Sequence, residues 1–405
     1  MRARGAMIET PLPPMEIRGR KLLPIIQGGM GVGVSAHRLA GTVAKEGAVG
    51  TIASVDLRRL HPDLMERTRR SRDRRAMEEA NLEALDREIR AAREICGPEG
   101  FLAVNVMKAV DQHPDLVRQA CESGADAIIM GAGLPFDLPD LVGGHDEVAL
   151  IPILSEERGV RAVLKRWLRR GRLPDAIVIE SPRYAGGHLG SPRVEEVDHP
   201  RFDFSRVIGE IRKVLEQLGI AFERIPLIAA GGINSFEKLR ALIAAGWAGA
   251  QIGTPFAVTE EGDAHPNFKR VLAEARPEDI VTFLSTAGLP ARAVLTPWLR
   301  RYLEREARLR AKASPERGTC AVRIECLTHC GLKDGNPQAG QFCIDNQLAA
   351  AVHGDVERGL FFRGSEPLPF GREIRPVREL LQYLLTGVDP RRAKAEQAGA
   401  EPTPA

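Results

Sequence analysis

Residues 225–256 read IPLIAAGGINSFEKLRALIAAGWAGAQIGTPF, and no other stretch constrains the fold as tightly. Ile225–Ala229 is an apolar run too short for a helix, with Pro226 near its start and Gly231 just past its end. Gly231 and Gly232 allow a tight turn with exposed N–H groups. Asn234 and Ser235 are placed to cap the helix that follows. Ala248–Ile252 is a second short strand, and Gly253 with Thr254 opens a second set of backbone donors. An eight-fold β/α barrel uses two such glycine-opened turns, after its last two strands, to hold a phosphate. Two ordinary βα loops are the plain alternative, and the regular spacing argues against it.

The same strand–helix rhythm runs back along the chain. Leu23–Gln27, Val49–Ala53, Phe101–Met107, Ala127–Met130, Val148–Leu154 and Ala176–Ile179 supply six earlier apolar strands. Helical patterns lie between most of them, at Ala36–Glu46, Asp115–Ser123, Glu156–Arg169, Phe204–Leu218 and Phe236–Ala245. Alternation of this kind implies a parallel sheet, and eight units imply closure. The expected fold is therefore an α/β protein, a (β/α)8 TIM barrel over residues 16–276. It carries a charged helical insertion at 58–95, before strand three, and a C-terminal α-rich lobe at 277–388. Within that lobe Pro277–Lys312 reads as helical, broken by Pro290 and Pro297. Gln341–Gly354 reads as a helix packed on the barrel, and Gly359–Gly364 as a turn near its mouth. Residues 389–405 read as a disordered polar tail.

Composition narrows the function classes. Of the 405 residues, 43% are hydrophobic and 27% charged, as in a soluble globular protein. The net charge of +3 gives no case for nucleic acid or a membrane surface as partner. The insertion's arginines alternate with acids, which marks a salt-bridged helix face. No apolar run reaches membrane-span length, and Met1–Met15 lacks a signal-peptide core. Six cysteines without a disulfide-like spread point to a reducing, cytoplasmic setting.

In a barrel the chemistry sits where the strands end. There the sixth strand runs into IESPRYAGGHLGSP, with His188 framed by Gly186, Gly187 and Gly190. A histidine on such a loop can reach a substrate and titrate near neutrality. A loop histidine that only bonds the backbone is the plain alternative; the strand-end position favours function. Glu180 either orients the loop or faces the barrel mouth. Lys108, beyond the third strand, contacts a ligand or solvent.

Five motifs, PIIQGGMGVGVS, VNVM, AGGHLG, AAGGI and QIGTPF, fall in order at predicted strand ends. Together they resemble the nitronate monooxygenase (2-nitropropane dioxygenase) family, which is close to flavin-dependent enoyl-acyl-carrier-protein reductases. The resemblance covers Leu23 to Phe256, with a weaker echo in the C-terminal lobe. It implies a barrel carrying non-covalent FMN. Gly29, Met30 and Gly31 would pass under the isoalloxazine, Asn105 would bond the ring, and Gly187 would flank it. Gly231, Gly232, Gly253 and Thr254 would hold the phosphate, with Gln251 beside it. His188 matches the family's general base. The implied reaction is oxidation of a small alkyl nitronate with O2.

One departure is visible. Ser181, Pro182, Arg183 and Tyr184 separate Glu180 from Ala185, where the family's sixth strand runs directly into its glycine–histidine loop. Arg183 or Tyr184 would there bind an anionic substrate or pack at the rim.

Two other chemistries use the same fold. An NAD(P)H-dependent flavin reductase would act on an enoyl thioester or a quinone, though GMGVGVS lacks the later acid of a dinucleotide fingerprint. A non-catalytic flavin- or phosphate-binding regulatory protein would need no base. Finally, Cys320, Cys326, Cys330 and Cys343, with His329, are spaced for an iron–sulfur cluster or zinc, or are buried free thiols.

Overall fold

The computed structural model describes residues 8–69, 71, 73–317, 320 and 326–393. Eight parallel strands close into a barrel: β1 (Ile25–Gln27), β2 (Val49–Ala53), β3 (Phe101–Met107), β4 (Ala127–Gly131), β5 (Ala149–Leu154), β6 (Ile177–Glu180), β7 (Leu227–Ala230) and β8 (Gly249–Ile252). The ring closes through β8 on β1, with Ala250 opposite Ile25, and through β6 on β7, with Ala230 opposite Glu180.

Strand alternation divides the apolar residues into two cores. Ile26, Val49, Ala103, Ile129, Ile151, Val178 and Ile228 fill the barrel interior. Their neighbours Ile25, Leu102, Val104, Ile128, Leu150, Ile177 and Ile179 face the helices instead. An antiparallel hairpin, Met15–Ile17 with Arg20–Leu22, packs Met15, Ile17 and Leu22 into the interior core beside Phe101. It closes the end of the barrel where the strands begin.

The segment before strand three is more integral than its charge pattern implies. It holds two short helices, Leu57–Leu60 and Pro62–Thr68, and the long helix Arg74–Cys96, capped by the Asp73 side chain. That long helix buries Met77, Ala80, Ala84, Leu85, Ile89 and Ala92 and packs along His37–Lys45. It is the barrel's own second helix, lengthened.

The region after strand eight departs from expectation. Residues 280–294 form an antiparallel pair, Ile280–Leu284 with Pro290–Val294, and the helix is confined to Pro297–Lys312. Pro290 opens a strand and Pro297 takes the first helical turn, where neither needs an N–H donor. Gly187–His188 adds as a third strand, with Ala291 opposite His188. The later helix is Ile344–Val352, and Phe362 bridges back to Ala293. Of the expected disordered tail, Asp389–Ala393 is tied down: Arg375 donates to Asp389 at 2.8 Å and residues 390–393 are helical. Residues 394–405 lie outside the described residues.

Candidate active site

At the strand ends the inward positions change character. Two residues beyond Ala103 stands Asn105, and two beyond Val178 stands Glu180. Gln251 takes the inward place between the outward-facing Ala250 and Ile252. These three polar side chains form a floor over a largely apolar barrel interior. Above it lies a cavity of about 1000 Å³.

The eleven residues singled out from the sequence all line that one cavity: His188, Gly29, Met30, Gly31, Asn105, Gly187, Gly231, Gly232, Gln251, Gly253 and Thr254. Gly29 rides directly over Asn105, where an added Cβ would collide with the Asn105 Cβ. Gly232 turns with φ +80°, and a Cβ there would lie 2.8 Å from the Tyr184 ring. Both are places where only glycine leaves the backbone open to a ligand. Beyond Gly253, Thr254–Ala257 forms a short extra helix after the last strand.

The donor and acceptor set fits a flavin nucleotide. The Oε1 of Gln251 is buried with no partner among the described residues, an acceptor for a ring N–H. Asn105 is held by donating to the Ile129 carbonyl at 3.2 Å. The glycine turns after β7 and β8 stand where such barrels commonly hold a phosphate.

His188 enters from the side. Its Nε2 lies 3.0 Å from Ser285 Oγ, and its ring meets Phe362 edge to face at 5.6 Å between centroids. Although its surface opens on the cavity, the ring is enclosed by protein, and this desolvation lowers its pKa to about 4. Ser285 Oγ also accepts the Ala287 N–H at 3.2 Å. Ser285 had no local sequence signal, and Phe362 only that of a turn near the mouth. Ser285 is 97 residues from His188 in sequence, and Phe362, farther still, arrives through its bridge to Ala293.

The extra segment is a compact turn, with Ser181 O accepting from the N–H groups of Tyr184 and Ala185. Arg292 clamps it from behind, donating to Pro182 O at 3.0 Å and Ala185 O at 2.6 Å. Tyr184 lines the cavity, whereas Arg183 turns outward to Asp203 at 3.0 Å. Lys108 is likewise committed, to Asp137 at 2.6 Å, and does not line the cavity.

Among the described residues, no group of three or more His, Cys, Asp or Glu is placed to hold a metal. Burial instead pushes the Cys326 and Cys343 thiols up to about 12 and about 11. Cys330 packs its Sγ 3.4 Å from Thr286 Oγ1. No helix among the described residues is long and apolar enough to cross a membrane.

The chain is similar to known proteins over most of its length. It is 26% identical to a protein named probable nitronate monooxygenase from Bacillus subtilis (strain 168), across 68% of this chain and 77% of that one. Its fold matches FabK from Thermotoga maritima, with TM-score 0.60 and 22% identity, over 93% of this chain and 96% of that one. It matches nitroalkane oxidase from Streptomyces ansochromogenes equally well, with TM-score 0.60 and 20% identity, over 92% and 97% of the two chains. The nitronate monooxygenase family pattern spans residues 19–387. A closed barrel with a glycine-lined cavity at its strand ends, matched over that span, makes this chain a member of the nitronate monooxygenase family and a flavin-dependent oxidoreductase.

Proposed function

We propose that this enzyme binds FMN and oxidises small alkyl nitronates with O2, with His188 as the proton acceptor. The observation that carries the reading is the position of the His188 imidazole, on the wall of the glycine-lined cavity with its Nε2 3.0 Å from Ser285 Oγ. FMN, when bound, supplies the electron acceptor and the reaction with oxygen. Gly29, Met30, Gly31, Asn105 and Gln251 would position its ring. Gly187 would flank it, and Gly231, Gly232, Gly253 and Thr254 would hold its phosphate.

Ser285 Oγ holds the imidazole in place, and as a hydroxyl it can either accept from or donate to Nε2. When His188 Nε2–H donates to Ser285 Oγ, Nδ1 is left to accept the α-proton of a nitroalkane. The enclosure that keeps the ring neutral also makes it a weak base. Substrates that arrive as preformed nitronates avoid that step and should be preferred.

The test is anaerobic mixing of the FMN-loaded protein with a nitronate, followed by admission of air. Bleaching of the flavin bands and their return with O2 support the reading. Bleaching by NADH or NADPH, with no response to nitronate, would instead favour a reductase of an enoyl thioester or quinone. Flavin indifferent to all of these would leave a binding protein.

A further inference from the structure

One group on the cavity floor has no task in the reaction proposed above. Asp56, Glu78, Glu156, Asp345 and Glu366 also line the cavity, and each meets an arginine or lysine. Glu180 meets none among the described residues. The cation that acts on it is Arg292, whose Nη1 is spent on Pro182 and Ala185 and whose Nε is 3.3 Å from Thr282 Oγ1. The inward alternation that puts Val178 inside the barrel aims Glu180 at the cavity, one layer higher.

Glu180 is half-buried where it opens on the cavity, and a carboxylate on such a wall without a close counter-charge holds its proton more tightly than one in water. Burial raises Glu180 to about 7, and Arg292 only partly opposes it. The other elements around it add no counter-charge. On the neighbouring strands the inward Ile153 and Ala230 do not titrate; the loop brings Tyr184 and His188, whose burial favours its neutral form; and Glu156 at the rim is paired with Arg201.

We propose that Glu180 acts as a neutral carboxylic acid and determines specificity by donating its O–H to an oxygen of an anionic substrate. This rests on the nitronate reading above. The ionised carboxylate would repel the same anion, so each binding event holds one proton at Glu180. A neutral donor on the floor and a neutral acceptor on the wall then bracket the substrate. Burial favours the uncharged form of each.

The test uses the FMN-loaded protein and nitrate, an unreactive planar anion, titrated by calorimetry from about pH 6 to about pH 9. The nitrate dissociation constant of the wild type should rise up to about tenfold per pH unit above about pH 7. In Glu180→Gln, which keeps a neutral donor, it should stay flat and close to the acidic wild-type value. Repeating the wild-type titration in buffers of different ionisation enthalpy should show uptake of about one proton at about pH 8. That reading needs no variant to fold. A flat wild-type profile without proton uptake would overturn the proposal, as would an unchanged slope in Glu180→Gln. A variant that alters flavin affinity but leaves nitrate binding untouched would assign the acid to the flavin and overturn it too. The two readings fail separately. Proton-linked nitrate binding without nitronate turnover removes the reaction and keeps Glu180, and turnover with proton-independent binding does the reverse.

Discussion

Glu88 is buried in a helical seam and Glu180 opens on the cavity, and their carboxyl groups are shifted in opposite directions. Glu88 sits on the long helix Arg74–Cys96, where that helix meets the barrel. It accepts from the His37 N–H at 2.8 Å and pairs with His37 Nδ1 at 2.7 Å, while His61 Nε2 stands 3.0 Å from its other oxygen. Burial alone would raise it, but these partners outweigh burial and bring it down to about 2. Glu180 has burial without partners and goes up to about 7. The helical seam is complementary to itself, whereas the barrel floor is left to be completed by what binds there. Damage to the floor should therefore appear in ligands and rates, and damage to the seam in stability.

The largest effect expected is at His188. His188→Asn should lower kcat/KM for neutral nitroalkanes by about 10²–10⁴-fold, the usual worth of a positioned base. Preformed nitronates need no such proton transfer and should lose far less. Equal losses on both substrates would show that His188 shapes the site without acting as its base.

Next comes the fit of the floor to FMN. Gly29→Ala puts a methyl group into Asn105. Overpacking of about 1–3 kcal/mol, expressed as displaced backbone under the ring, should weaken FMN binding by about tenfold to a hundredfold. Fluorescence of the released flavin would measure it. Unaltered FMN affinity with a lowered melting temperature would make Gly29 a packing position, like the seam.

The seam supplies the converse. Glu88→Gln should cost about 2–3 kcal/mol of unfolding free energy, because it breaks an enclosed ion pair from one side. Turnover per folded molecule should hold. Urea unfolding gives the first quantity and active-site titration the second. A loss of turnover with unchanged stability would erase the distinction between the two regions.

How much of this was legible follows from range in sequence. The barrel could be counted because each βα unit is local: strand, glycine and amphipathic helix recur within a few tens of residues. The cavity glycines and His188 followed from the same local rule. The inward alternation in FLAVNVM and AIVIE was also there to place Asn105 and Glu180 in one layer, yet only Asn105 was assigned a ligand. Ser285 and the clamp of Arg292 were invisible, and Phe362 could be placed only within a turn near the mouth, since their contacts depend on the pairing of Gly187–His188 with Pro290–Val294. That pairing also explains why residues 280–294 were misread as helical. Two prolines look like helix breakers until the edge strand and helix start that use them are known.

The smallest effect is the most discriminating. Glu180 rises from 4.5 to about 7, so its contribution to stability is complete below 4.5 and is lost as pH climbs to about 7. His188 falls from 6.5 to about 4, so its contribution is complete above 6.5 and is lost as pH drops to about 4. Between these limits the two slopes have opposite sign, each at most about 1.4 kcal/mol per pH unit, and they cancel. Glu180→Gln removes one of them. The variant should match the wild type near pH 4.5, where both side chains are neutral, be the more stable of the two near neutral pH, and lose that excess on acidification from about 6.5 to about 4.5 where the wild type changes less. Glu88→Gln, measured the same way, should instead lose the seam's own dependence. The Glu88 contribution is present above 4.5 and fades toward about 2, and the raised pKa of His37 adds a part that is full below 6.5 and lost above its folded value. If Glu180→Gln leaves the acid limb of the stability curve where it was, the floor carboxyl is ionised like that of Glu88, and the contrast between the two glutamates disappears.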